Sequence, residues 1–73
     1  MAVGSNTMSV YEIGETAGQI WKVLEDGGPM SIARLTKAVD APRDTVLMAL
    51  GWLAREDKIT VDQSGRSRTV ALR

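Results

Sequence analysis

The sequence predicts an α+β fold in which three helices precede a two-stranded β-hairpin. Two features indicate it. Apolar residues recur at helical spacing through residues 11–57, with breaks at glycine and proline, and from residue 58 onward they alternate with polar residues. A chain of 73 residues is long enough for one domain only. We therefore expect one domain over residues 10–73, preceded by a flexible tail over residues 1–9, which has no apolar periodicity.

The first two predicted helices lie on either side of a glycine-proline break. The first covers residues 11–26, and Gly27-Gly28-Pro29 ends it because glycine caps helices and proline cannot continue them. Ser31 is a good N-cap for a short second helix over residues 32–39. The apolar residues of the first helix recur at i, i+4, i+7, i+8 and i+11 and form one stripe: Ile13, Ala17, Ile20, Trp21 and Leu24.

The third predicted helix follows a tight break at Asp40-Ala41-Pro42. Proline disfavours helical geometry in the residue before it. We therefore expect Asp40 or Ala41 to cap a helix over roughly residues 42–57. Pro42 would occupy its first turn, where a missing N–H costs nothing.

The period of the apolar residues changes after this helix. Ile59 and Val61 alternate with polar residues, Gln63-Ser64-Gly65 has the composition of a turn, and Val70 and Leu72 return in phase. Two strands joined by a short turn form a hairpin. A hairpin that follows a helix-turn-helix is a wing, so the pattern predicts a winged helix-turn-helix domain.

Two runs of residues resemble a known family. Residues 13–18 read IGETAG and are followed by Ile20-Trp21, while residues 46–59 read VLMALGWLAREDKI. Through these runs, the stretch from Ile13 to Leu72 resembles a family of small stand-alone bacterial and archaeal winged helix-turn-helix proteins of unassigned function. The resemblance implies the winged-helix fold and homodimers, and it supplies no catalytic or ligand residues. A looser resemblance extends to winged-helix transcription regulators, in which the third helix enters the major groove.

Composition argues against catalysis. The chain has no cysteine and no histidine, so disulfides, thiolate metal sites and the commonest general base are all missing. The adjacent carboxylates Glu25-Asp26 and Glu56-Asp57 diverge by about 100° on a helix. Nothing evident would activate a serine or threonine. We expect a protein that is not an enzyme and that holds no metal or cofactor.

The sequence also bears on the location of the protein and on the distribution of its charge. No apolar run reaches the length of a membrane span and no signal peptide is evident, so the expectation is a cytoplasmic protein without membrane contact. Nine basic and nine acidic residues cancel overall. Residues 63–73, however, contain Arg66, Arg68 and Arg73 and no acid. Any nucleic-acid contact should therefore come from the C-terminal third.

The outward face of the third helix is the main candidate site. At 100° per residue, Val46, Ala49, Leu50 and Leu53 share the core face. The opposite face carries Asp44, Thr45, Met48, Gly51, Trp52 and Arg55, with Leu47 at its flank. A helix that reads base edges would carry Arg, Lys, Asn or Gln there.

An apolar centre on this face favours contact with protein. We therefore expect a regulatory module that forms a homodimer, or binds another protein, through five residues: Leu47, Met48, Gly51, Trp52 and Arg55. The other interpretation of Trp52 is that its side chain leans over and completes the core.

The alternative function is that of a DNA-binding transcription regulator. Arginines at a hairpin tip can enter a minor groove or neutralise phosphates, and helix 2 and the turn offer further cations. The candidate contact residues are Arg34, Lys37, Arg43, Arg66 and Arg68. Charged side chains at these positions would also keep the protein soluble and prevent the sheet edge from pairing with other chains, without any contact to DNA. This alternative predicts weak DNA binding.

Overall fold

A computed structural model describes residues 10–73 and confirms the predicted architecture of three helices followed by a hairpin. In chain order the elements are α1 (Val10–Gly27), β1 (Met30–Ser31), α2 (Ile32–Ala38), α3 (Arg43–Arg55), β2 (Ile59–Ser64) and β3 (Ser67–Leu72). The predicted tail over residues 1–9 lies outside the described residues. The helix bounds agree with the sequence to within two residues at each end.

The sheet has three strands, one more than the sequence predicted. Its order is β1-β3-β2, and both pairings are antiparallel. β1 consists of two residues, with Met30 opposite Val70 and Ser31 opposite Thr69. A segment of two residues cannot show the alternation of apolar and polar residues that marks a strand, so the sequence pattern could not predict β1. The strand is recognised only by its pairing with β3.

The core lies between the three helices and the inner face of the sheet. Eleven hydrophobic residues of the described chain are buried there: Ala17, Ile20, Leu24, Leu35, Val39, Val46, Ala49, Leu50, Leu53, Ile59 and Val70. The predicted core face of the third helix is confirmed in full. The predicted stripe of α1 is confirmed except for Trp21, which is 39% exposed. Trp21 lies at the edge of the stripe, about 100° around the helix from Ile20, and Thr16 is buried instead.

Two further side chains depart from the sequence pattern. Thr45 was predicted to face outward but is buried. It precedes Ala49 by four residues and therefore shares the inner face of α3. Val61 is in phase with the buried strand residues yet is 44% exposed. It lies on β2, an outer strand of the sheet, beyond the cover of the helices.

The helix starts differ in how well the sequence predicted them. Ser31 is the N-cap of α2, as predicted, and its Oγ accepts a hydrogen bond of 3.1 Å from the N–H of Arg34. The cap of α3 is Pro42, so the prediction of Asp40 or Ala41 was wrong. Pro42 has extended geometry with ψ 147°, and its carbonyl accepts the first helical bond. An N-cap residue needs no helical N–H, so proline fits one position earlier than expected.

The wing is closed by a turn of two residues. Ser64 lies opposite Ser67, which leaves Gly65 and Arg66 as the loop. Gly65 has φ 60°, and glycine at the first position of a two-residue loop is typical of the type II′ turn that matches strand twist. The predicted turn over 63–65 was therefore too early, since Gln63 belongs to β2.

The C-terminus of α3 ends in a Schellman motif with an unusual residue at its left-handed position. The N–H of Lys58 donates to the carbonyl of Leu53, and the N–H of Asp57 donates to that of Ala54. Asp57 has φ 64°, where glycine is usual because it has no Cβ. Its carboxylate also pairs with Arg73 at 2.7 Å.

Two substitutions at Asp57 should separate these effects. Both Asp57→Gly and Asp57→Ala remove the ion pair, so their difference reports the backbone alone. We expect the glycine variant to be the more stable by about 1 kcal/mol, the order of the cost of a Cβ in the left-handed region. Urea denaturation measures both, and equal stabilities would contradict the expected cost.

Candidate nucleic-acid and protein interfaces

Three of the predicted nucleic-acid contacts meet in one cleft of about 340 Å³. We call it the arginine cleft, and it lies between the wing and the starts of α2 and α3. Its lining consists of Ser31, Ile32, Ala33, Arg43, Leu47, Arg66, Ser67 and Arg68. Arg43 is the first residue of α3. Arg66 lies in the two-residue turn, and Arg68 follows it on β3.

The arginine cleft is positively charged and is not neutralised by neighbouring side chains. No carboxylate is among its lining residues. Within residues 10–73, the side-chain ion pairs are Lys58 with Glu56 and Arg73 with Asp57, and both lie outside the cleft. Three guanidinium groups in one concave surface attract anions, and each can bind a phosphate through paired N–H donors.

The remaining predicted contacts are dispersed. Arg34 and Lys37 are exposed on α2 and do not line the cleft. Arg55 is exposed in the last turn of α3, where a cation is favourable for the helix dipole.

The predicted protein-binding face of α3 is exposed, but the structure divides it between separate surfaces. Leu47, Met48 and Trp52 are 40%, 46% and 41% exposed. Leu47 lies in the arginine cleft, whereas Trp52 lines a second groove near α1. Between the two surfaces lie Asp44, Met48, Gly51 and Arg55, which are all exposed and which we call the α3 ridge. Trp52 therefore does not complete the core, which was the second interpretation of this residue in the sequence analysis.

The second groove has a volume of about 600 Å³ and lies between α1, the end of α3 and the end of β3. We call it the tryptophan groove. It is lined by Gly14, Ala17, Gly18, Trp21, Trp52, Leu53, Asp57, Lys58, Leu72 and Arg73. The Asp57–Arg73 ion pair lies among these lining residues. Sequence reasoning missed Trp21 as a surface residue. The signal was available in its position at the edge of the stripe, beside two glycines.

Three glycines in helix interiors have no packing role within the described chain. A Cβ added to Gly14, Gly18 or Gly51 would meet no atom within 4 Å. Glycine in a helix interior costs about 1 kcal/mol relative to alanine. The internal packing of residues 10–73 gives no reason for this cost.

Tyr11 lies at the start of α1 and is 72% exposed. Its hydroxyl donates a hydrogen bond of 3.1 Å to Oε2 of Glu15, one turn further along the helix. This hydrogen bond and the negative charge of Glu15 raise the pKa of Tyr11 above its usual value. The phenol is therefore neutral at physiological pH and presents an apolar ring to solvent.

Neither metal ligation nor membrane spanning is indicated for the described part of the chain. Residues 10–73 contain no cluster of three metal-binding side chains. In the same range, no helix is both long enough and apolar enough to cross a bilayer.

The fold recurs in solved structures of other proteins. The solution NMR structure of BT2368 from Bacteroides thetaiotaomicron matches with a TM-score of 0.78 at 28% identity, covering 89% of this chain and 79% of that one. The crystal structure of AF1382 from Archaeoglobus fulgidus matches with a TM-score of 0.64 at 15% identity, covering 90% and 72%. The ArsR family transcriptional regulator RHA00566 also gives 0.64, at 20% identity and with coverage of 88% and 70%. The last two likenesses show the fold alone.

Sequence similarity confirms the family resemblance. The uncharacterized protein MJ1608 of Methanocaldococcus jannaschii is 42% identical over 65 residues, which is 85% of this chain and 91% of that protein. A family model described as a winged helix-turn-helix domain, DUF2582, matches residues 8–72. The chain therefore belongs to the winged helix-turn-helix domain family DUF2582.

Proposed function

We propose that this protein is a regulatory module that binds duplex DNA by its phosphate backbone through the arginine cleft. The observation that carries the proposal is the convergence of Arg43 from α3 with Arg66 and Arg68 from the wing, which lies more than twenty residues further along the chain. Because the whole chain has formal net charge +0, such binding depends on this local concentration of charge and not on a global field.

The neighbouring outward face of α3 gives little support for recognition of specific bases. The ridge of α3 presents Asp44, Met48, Gly51 and Arg55, and only Arg55 offers the donors that match base edges. Gly51 has no side chain and leaves room for a close approach to the duplex. We therefore expect contacts to phosphate to dominate, with a Kd no tighter than about 10⁻⁴–10⁻⁶ M at physiological salt.

The regulatory role rests on analogy of fold. RHA00566 is named as a transcriptional regulator and shares the winged-helix architecture. Function follows from sites and not from folds, so the arginine cleft carries more weight than this likeness. Binding, and not catalysis, is the role that these surfaces support.

The salt dependence of DNA affinity tests the proposal. Three phosphate contacts should give a slope of log K against log salt of about −2.7. Replacing Arg43, Arg66 or Arg68 singly with alanine should reduce that slope by about one unit each and weaken binding equally across sequences. Fluorescence anisotropy with a mixed-sequence duplex at several salt concentrations measures both quantities.

Arg73→Ala is the matched control, because it removes the same charge at a position outside the cleft that already pairs with Asp57. It should leave the slope unchanged. If it reduces the slope as much as the cleft variants do, binding is not localised to the cleft. A nanomolar, sequence-selective complex would show that the ridge of α3 reads bases.

Protein contact through α3 is the second candidate function. It is favoured by the exposure of Leu47, Met48 and Trp52, together with the open backbone at Gly51 and the charge of Arg55. Under this hypothesis the α3 ridge meets a second copy or another protein. Met48→Glu should then abolish the complex, because it would bury an unpaired charge.

A further inference from the structure

The arginine cleft has an apolar side that contacts to phosphate do not use. Its lining on α2 and α3 includes Ile32, Ala33 and Leu47. Leu47 is 40% exposed, and it lies four residues after Arg43, one turn further along the same side of α3. Phosphate oxygens are polar, so they gain nothing from contact with an apolar side chain. A ligand that matches the whole cleft therefore carries an apolar group close to its phosphates.

Duplex DNA carries such a group in its major groove. The C5 methyl group of thymine is the one methyl group that the unmodified base pairs present there. The major groove is about 12 Å wide and admits an α-helix, so α3 fits beside a backbone that is held in the cleft. An apolar side chain can contact the methyl group without any hydrogen-bond donor or acceptor. The apolar side chains of α3 thus have a partner in the same duplex whose backbone the arginines bind.

We propose that Leu47 and Met48 contact pyrimidine methyl groups in the major groove, so that the protein prefers duplex DNA whose pyrimidines carry a C5 methyl group. The inference rests on the proposed binding of DNA by the arginine cleft, and it adds a specificity to that binding. Thymine and 5-methylcytosine present the methyl group at the same position of the groove. The preferred ligand is therefore a duplex rich in either base.

Charge on α3 places the phosphates on one side of the helix. Arg43 lines the cleft, whereas the next residue, Asp44, lies on the α3 ridge. The carboxylate of Asp44 repels phosphate. The backbone is therefore held on the cleft side, and the α3 ridge is left to face the edges of the bases. Met48 follows Asp44 by one turn and extends the apolar surface of Leu47 from the cleft onto the ridge.

Gly51 permits the close approach that contact with a methyl group requires. It lies three residues after Met48 and four after Leu47, on the next turn of the same face. A Cβ added at Gly51 would meet no atom within 4 Å, so the packing of the described residues gives no reason for a glycine here. Without a side chain at this position, α3 can lie deeper in the groove. Leu47 and Met48 can then come within the roughly 4.0–4.5 Å of apolar contact.

The test removes the methyl groups from the DNA and leaves its base pairing unchanged. Fluorescence anisotropy compares an alternating A·T duplex with the same duplex in which deoxyuridine replaces every thymidine. Every register of an alternating duplex presents methyl groups, so a chain that binds without a fixed register still meets them. The full 73-residue chain should bind the thymidine duplex about fourfold more tightly if one methyl group is buried, and about fifteenfold if two are.

A second comparison adds the methyl group to another base. A mixed-sequence duplex should bind more tightly by a similar factor when 5-methylcytosine replaces its cytosines. Agreement between the two comparisons assigns the preference to the methyl group and not to A·T base pairs. A gain with thymidine and none with 5-methylcytosine contradicts the proposal.

Substitutions in the protein separate contact with methyl groups from contact with phosphate. Leu47→Ala should lower the ratio of the two Kd values, and the double variant Leu47→Ala with Met48→Ala should bring it to one. Neither removes a charge, so the salt slope should not change. Arg68→Ala is the matched control from the same cleft. It should weaken binding to both duplexes equally and leave their ratio unchanged. Circular dichroism checks that each variant is folded.

Three results would overturn the proposal, and they have different meanings. Equal affinity of the wild type for the two duplexes removes the specificity and leaves the phosphate contact standing. A ratio that persists in the double variant shows that the preference comes from the shape of the duplex. Absence of binding to either duplex contradicts the proposed DNA function itself, and the methyl contact fails with it.

Discussion

Replacing Leu35 with alanine should lower the free energy of unfolding by about 2–5 kcal/mol. Leu35 has 0% exposure and is the buried residue of α2, which has seven residues. A helix this short is not stable alone, so its contact with the core holds it in place. A domain of this size has roughly 4–11 kcal/mol of stability in total. The variant should therefore lose a large fraction of it.

Urea denaturation followed by circular dichroism gives the change directly. Leu47→Ala is the matched control, because the same atoms are removed from a side chain that is 40% exposed. It should cost less than about 1 kcal/mol. Equal losses for the two variants would mean that α2 is not anchored through Leu35, or that Leu47 packs more tightly than its exposure indicates.

Val70→Thr should destabilise the fold by about 1–3 kcal/mol although it hardly changes the side-chain volume. Val70 has 0% exposure on the central strand β3, opposite Met30 on one side and Val61 on the other. A hydroxyl at this position is removed from water. The backbone acceptors around it are used by strand pairing on both sides, so the hydroxyl lacks a good partner.

Val61→Thr provides the comparison within the same cross-strand pair. Val61 is 44% exposed, and its substituted hydroxyl would remain hydrated. Its effect should stay within about 0.5 kcal/mol, and threonine suits a strand as well as valine does. Thermal denaturation of the two variants measures the difference, and a larger loss at Val61 would contradict the burial assigned to the sheet.

The elements of this fold could be predicted because their signals are local. The helical spacing of Val46, Ala49, Leu50 and Leu53 gave a core face that the structure confirms in full. Ser31 was recognisable as a cap because its chemistry involves only the next three residues. The same local reasoning placed the cap of α3 too early, since proline is compatible with both the N-cap and the first turn.

Side-chain exposure at the edges of the pattern could not be predicted in the same way. Trp21 and Val61 both lie in phase with buried neighbours, yet both are exposed, because nothing else in the described chain covers those positions. Thr45 shows the reverse case, a polar residue that is buried because it shares the inner face with Ala49. A periodicity gives the direction of a side chain and does not show what lies opposite it.

The sequence by itself determined that the chain forms three helices and a wing, that Val46, Ala49, Leu50 and Leu53 of the third helix face the core, and that cysteine and histidine chemistry is excluded. Only the tertiary structure decided how the surface side chains are grouped. It brings Arg43 together with Arg66 and Arg68, and it separates Leu47 from Trp52 on the same helix. The physical reason is that helix and strand patterns depend on neighbours within a few residues. A cleft is formed by elements that are distant in the chain and meet only when the shared core is packed.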